Sequence, residues 1–207
     1  MIILYGYNDR ERSIQRNQII VYLIMLINVL VYIYEVRLSG STTISQPVLI
    51  HMGANYAPAI QAGQTWRLFT AMFLHLSLMH ILSNMIALVC FANIARDIYN
   101  NFEFLVIYIV SGVVGNIVSL MFNPISISAG ASTAIMGLLG CTLAMFALPK
   151  EDYNTQSVVQ QAVFLLVVNT VGVMGTNIDI AGHAGGALAG FVLGLIFIWI
   201  KRVRHTV

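Results

Sequence analysis

Long apolar runs separated by short polar interruptions dominate the chain. They fall at about 18 to 36, 68 to 94, 103 to 122, 132 to 148, 157 to 175 and 183 to 200. A helix needs about 20 mostly apolar residues to cross a hydrocarbon core of ~30 Å, and in lipid the helix satisfies every backbone group internally. The pattern therefore predicts an all-α membrane protein, a bundle of six transmembrane helices forming one membrane domain over residues 1–207. The first run follows a charged stretch with Asp9, Arg10, Glu11, Arg12 and Arg16, and no small-residue cleavage site succeeds it. It reads as a retained helix rather than a signal peptide. The longest connection, about residues 39 to 65, is loop-like, with Gly53, Pro58 and Gly63.

Composition agrees with this pattern: 58% of residues are hydrophobic and 9% charged, against ~25% charged in an average soluble domain. Charge then sets orientation, because cytoplasmic loops retain Lys and Arg. Arg10, Arg12, Arg16, Arg96, Lys150, Lys201, Arg202 and Arg204 fall on one side of a six-helix layout, and only Arg37 and Arg67 on the other. Both termini are expected in the cytoplasm, so the second, fourth and sixth helices run from outside to inside. The net charge of +2 reflects this bias and is no nucleic-acid footprint. Cys90 and Cys141 lie inside apolar segments and read as packing residues rather than a disulfide.

Polar side chains inside the apolar runs are costly in a membrane and default to functional candidates. Four stand out: His80 and Asn84 in the second run, Ser132 opening the fourth and His183 opening the sixth. From Ser132 to Leu148, just before Lys150, is 17 residues. At 1.5 Å per residue this reaches only about 25 Å, so Ser132 should lie below the outer face of a core ~30 Å thick. From His183 to Ile200 gives about 27 Å, and counting back from Arg96 puts His80 about 24 Å and Asn84 about 18 Å up. One layer thus holds a hydroxyl, two imidazoles and an amide. Gly186, Gly190 and Gly194 share a helix face with His183, and a glycine face lets backbones approach closely. On the fourth helix, steps of four from Ser132 give Met136, Gly140 and Ala144. Packing of these two faces would bring Ser132 and His183 together, and a neighbouring base is what activates a serine. His80 and Asn84, one turn apart, are suited to donating hydrogen bonds to an oxyanion.

The segments GAN at 53–55, TWRLFTAMFLHLSLMHILSN at 65–84, GAS at 130–132 and GHAGGALAG at 182–190 resemble the rhomboid family of intramembrane serine proteases in its six-helix form. The resemblance runs from Gly53 to Gly194. It implies Ser132 as nucleophile and His183 as general base, with the Ser132 backbone N–H, His80 and Asn84 as oxyanion hole. It also implies structural roles for Trp66, Arg67 and His75, alongside the motif glycines Gly130, Gly186 and Gly190. Trp66 and Arg67 are expected to anchor the outer loop at the headgroup level. Two positions depart from the common pattern: Thr133 stands where many rhomboids have Gly, and Met136 where many have an aromatic. Met fills irregular gaps and contacts rings through sulfur, so the departures touch the shape of the site and leave the reacting groups in place.

Other protease chemistries fail on the sequence. A zinc site would need HExxH, yet His75 and His80 are five apart with no Glu between them. Two facing membrane aspartates are missing, since Asp97 and Asp179 lie at opposite surfaces. The GxSxG elbow would need Gly where Ala134 stands. Asp179, four residues before His183, invites a triad reading, but its outer-loop position favours solvation or a helix-start role. The expected activity is hydrolysis of transmembrane protein substrates near the outer surface of the lipid bilayer, in the plasma membrane, with no cofactor, metal or nucleic acid. Water would enter through a polar cavity flanked by Ser126 to Ser128 and Asn177 to Asp179. A rhomboid-like pseudoprotease that binds membrane proteins without cutting them is the alternative, and a transporter or channel is disfavoured by the lack of paired membrane charges.

Overall fold

A computed structural model describes residues 2–95, 98–147, 159, 160, 163 and 179–205. Its main elements are helix α1 (Ile2–Ser39), the short helices α2 (Gln46–Met52), α3 (Ala57–Gln61) and α4 (Arg67–Thr70), then α5 (Leu78–Ala95), α6 (Asn101–Phe122), α7 (Ser132–Ala144) and α8 (Ile180–His205). Among the described residues, four helical stretches are long and apolar enough to cross a membrane: Ile19–Ser39, Leu78–Ala95, Asn101–Phe122 and Ile180–Val203. The apolar stretch Ser132–Ala147 is shorter. The segment expected at 157 to 175 lies almost wholly outside the described residues. The second expected span, 68 to 94, is not one helix. Residues 67 to 73 form α4 and a 3-10 turn, Leu74 is extended, and α5 begins only at Leu78. The apolar run overstates the helix because residues 68 to 74 fold as a loop that buries Ala71, Met72 and Leu74.

Apolar and polar positions are arranged for lipid. On α1, Tyr22, Leu23, Leu26, Leu30 and Ile33 are exposed while Asn28 and Glu35 are fully buried, as expected where the surrounding solvent is hydrocarbon and polar groups face protein. Helix α7 sits centrally, packed chiefly against α8 and α6 and also against α5. At the start of α6, the Asn100 side chain accepts from the N–H groups of Phe102 and Glu103, and Glu103 accepts from the Asn100 N–H. This reciprocal cap satisfies helix-end donors. Glu103 also pairs with Lys201 near the end of α8 at 2.5 Å, tying together the ends of two spans.

Small residues decide how close α7 and α8 come. A Cβ on Gly186 would collide with the Thr133 carbonyl, one on Gly140 with the Ala187 carbonyl, and one on Gly194 would lie 2.9 Å from Ala144 Cβ and 3.0 Å from Cys141 Cα. The glycine face of the last helix therefore does meet the helix that begins at Ser132. It meets Gly140 and Ala144 of the expected row, and beside them Thr133, Gly137 and Cys141 of the adjacent row. Cys90 and Cys141 are both free thiols.

Candidate active site

Ser132 opens α7 and His183 lies in the first turn of α8, and their side chains meet: Ser132 Oγ and His183 Nε2 are 2.8 Å apart. That is a normal hydrogen-bond length for a hydroxyl donating to an imidazole nitrogen. Both line a cavity of about 920 Å³ with His80, Gly130, Thr133, Ser126 to Ala129, Asn123 and Asp179. Ser128 and Asp179 belong to the loops expected to flank such a cavity, while Asn177 lies outside the described residues.

His80 lines the same cavity from α5. Its Nδ1 accepts from the Leu76 N–H at 3.4 Å, which leaves the ring proton on Nε2 as a donor. A Cβ on Gly130 would sit 3.0 Å from that Nε2 and 3.6 Å from Ser132 Oγ, and Gly130 has φ +141°. Glycine is required there by both space and backbone, and the room it leaves lies between a hydroxyl and an N–H donor. Asn84 lies one turn further along α5. It is fully buried, neither side-chain atom has a hydrogen-bond partner among the described residues, and it does not line the cavity.

The loop residues carry the site from behind. Arg67 is buried and donates to Gln64 Oε1 at 2.7 Å, to the Ile50 carbonyl at 2.6 Å and to the Ala54 carbonyl at 3.3 Å. Its guanidinium also lies 4.8 Å from the centroid of the half-exposed Trp66 ring. The expected headgroup anchor is thus corrected: Arg67 turns inward, because the folded loop leaves backbone carbonyls that its fork of donors satisfies. Two short strands, β1 (Asn55–Tyr56) and β2 (Ile127–Ser128), pair antiparallel and attach this loop to the segment leading into Ser132. Asn55 Nδ2 donates to the Asn116 carbonyl and Asn116 Nδ2 to the Leu68 carbonyl, fastening the loop to α6.

His75 is fully buried and packs edge-on against His80, with ring centroids 5.3 Å apart. Burial first, and then the neighbouring His80, hold its imidazole well below the usual histidine range, so it is neutral and reads as packing. Its backbone N–H donates to both carboxylate oxygens of Glu35, at 3.2 and 3.1 Å. Glu35 was not singled out in the sequence. The signal is a carboxylate within the first apolar run, disguised by its place one residue from the expected helix end. Gln46, which also lines the cavity, sits in a loop helix with no sequence signal to mark it.

A family model, the Rhomboid domain, matches residues 62–200. The chain belongs to the rhomboid family. Rhomboid-like protease 3 of Toxoplasma gondii is 32% identical over 173 residues, which is 82% of this chain and 66% of the relative. Rhomboid protease GluP of Bacillus subtilis (strain 168) is 32% identical over 171 residues, 82% of this chain and 33% of the relative. RHOMBOID-like protein 7 of Arabidopsis thaliana is 37% identical over 161 residues, 74% of this chain and 50% of the relative. This rhomboid therefore spans 33% to 66% of the length of these three relatives. Family membership and the long apolar helices make it a multi-pass membrane protein. The matched region includes His80, Asn84, Ser132 and His183.

Proposed function

We propose that this rhomboid is an intramembrane serine endopeptidase that hydrolyses transmembrane protein substrates near the outer membrane surface, using Ser132 and His183. The observation that carries the reading is the 2.8 Å contact between Ser132 Oγ and His183 Nε2 inside a polar cavity. Two relatives whose names include "protease" support it. Ser132 Oγ attacks the scissile carbonyl as His183 Nε2 takes the hydroxyl proton. His183 then gives that proton to the leaving amine, and water, deprotonated by the same imidazole, releases the acyl group and regenerates Ser132.

The tetrahedral oxyanion is stabilised by the Ser132 N–H, by His80 Nε2–H and by Asn84. Asn84 reaches it only if its amide turns toward the cavity when substrate binds, a tightening common in catalytic sites. The chain works as one membrane domain over residues 1–207 with six spans and both termini cytoplasmic. No cofactor takes part in these steps.

The test is cleavage of a single-pass substrate by purified protein in detergent, with Ser132→Ala and His183→Ala variants. Both variants are expected to be inactive yet folded, and a fluorophosphonate should label Ser132 in the parent protein only. Wild-type turnover in either variant would sink the dyad. Substrate binding without any turnover by the parent protein would identify a pseudoprotease instead.

A further inference from the structure

Two ties join the same two segments, one turn apart. His183 meets Ser132, and the residues four positions before each of them also meet: Ser128 Oγ donates to Asp179 Oδ2 at 3.0 Å. Asp179 does more than this. Its Oδ1 accepts from the Gly182 N–H at 3.0 Å and from Asn123 Nδ2 at 3.3 Å, and its carbonyl accepts from the His183 N–H at 3.0 Å. One side chain therefore caps the helix that carries His183 and holds both the end of α6 and the strand that leads into Ser132.

We infer that Asp179 and Ser128 form a positioning tie that sets the Ser132 to His183 distance from the outer side of the site, as the glycine contacts of α7 and α8 set it from the inner side. This rests on the protease reading above. The need for such a tie follows from the geometry. His183 is in the first turn of α8, and helix ends fray unless their free N–H groups are bonded. The segment from Asn123 to Gly130 that delivers Ser132 is held by a two-residue strand and, at its far end, by the Gly130 N–H donating to the Ala71 carbonyl at 2.9 Å, and neither of these reaches α8. Glycine packing holds the inner side, with Gly186 against the Thr133 carbonyl, and leaves the outer ends of the two segments to other contacts. A charge-assisted hydrogen bond between the two ends can restrain them, because it is stronger than a neutral one.

Capping and tying are separable by substitution. Asn caps a helix about as well as Asp, so Asp179→Asn keeps the acceptor for Gly182, but its amide has one oxygen where the carboxylate had two. Ser128→Ala removes the tie and leaves the cap whole. Ser128→Thr keeps the hydroxyl. A displacement of 1 Å can cost ~10²-fold in rate, so slack of a few tenths of an ångström is expected to lower kcat about tenfold. Ser128→Ala and Asp179→Asn should each do so with KM unchanged, Ser128→Thr should restore most of the rate, and the double variant should be no worse than the poorer single one. Two sites acting through one bond are non-additive in this way.

The tie itself is read without activity. Spin labels at Ile125→Cys and Ile180→Cys, both exposed at the rim, in a Cys90→Ala/Cys141→Ala background, report the distance between the loop and α8 by continuous-wave and pulsed dipolar spectroscopy. A narrow distribution that broadens in Ser128→Ala and Asp179→Asn is expected. An unchanged distribution would overturn the tie whatever the activity. Broadening with unchanged kcat, or additive losses in the double variant, would overturn its catalytic role. Inactivity of the parent protein would sink the protease reading instead, and the distance distribution would then decide the tie alone.

Discussion

Gly190 of α8 lies directly against the backbone of Gly137 in α7: a Cβ on Gly190 would fall within the van der Waals envelope of the Gly137 carbonyl oxygen and beside its Cα. The obstacle is backbone on both sides, so no rotamer change relieves it. In a bilayer, where apolar side chains gain little from leaving lipid, such backbone approach is a main source of helix association.

Gly190→Val should therefore push α8 away from α7 and lose stability and activity together. Overpacking of this kind costs about 1 to 3 kcal/mol or more. Leu188→Val, on the exposed face of the same helix, is the control and should behave as wild type. Thermal unfolding in detergent and turnover, measured on both variants, decide the matter; a stable, active Gly190→Val protein would mean the helices do not meet here.

His80 and Asn84 differ in their readiness to donate. His80 already lines the cavity, whereas Asn84 is fully buried and does not line it. Loss of one oxyanion donor lowers kcat by ~10² to 10³. His80→Ala is expected to show a drop of that order in kcat with KM little changed, and Asn84→Ala a smaller one. Steady-state kinetics on a transmembrane substrate distinguish this from a change confined to KM, which would make the residues substrate-positioning groups.

Glu35 should act through its acceptor oxygens on the His75 N–H. Glu35→Leu leaves that buried N–H without a partner, at about 1 to 3 kcal/mol. Glu35→Gln keeps one oxygen and should recover much of the loss. Unfolding midpoints of the two variants test this, and equal stability of Glu35→Leu and wild type would remove Glu35 from any anchoring role.

Arg67→Lys should not be a conservative change. A single ammonium cannot span Gln64 Oε1 and the carbonyls of Ile50 and Ala54, which the planar guanidinium reaches together. Faster proteolysis or hydrogen exchange of residues 46–67 is expected in the variant. Protection equal to wild type would show that the loop is held by its other contacts.

Much of the candidate site was legible before any coordinates. A serine, two histidines and an asparagine within apolar runs mark themselves by the cost of burying them in lipid. The pairing of the helices that carry Ser132 and His183 was also readable, because glycines at helical spacing announce close approach. Two expectations missed by identifiable margins. The facing surface on α7 keeps Gly140 and Ala144 of the expected row but takes Thr133 and Gly137 in place of Ser132 and Met136, because periodicity defines a face only to within about a quarter of a turn. Residues 68 to 74 read as part of a span because a loop packed into the protein can be as apolar as a membrane helix.

What the sequence by itself determined is the solvent and the helical class, since these follow from composition and from the length of the apolar runs. What only the tertiary structure decided are the contacts between helices and loops: the 2.8 Å approach of Ser132 to His183, the inward turn of Arg67, Glu35 on the His75 N–H and the Ser128 to Asp179 tie. Each joins residues from 17 to 51 positions apart. Their distances depend on the relative rotation and spacing of separate elements, which is set by how side chains and bare backbone fill the space between them, and no local pattern carries that information.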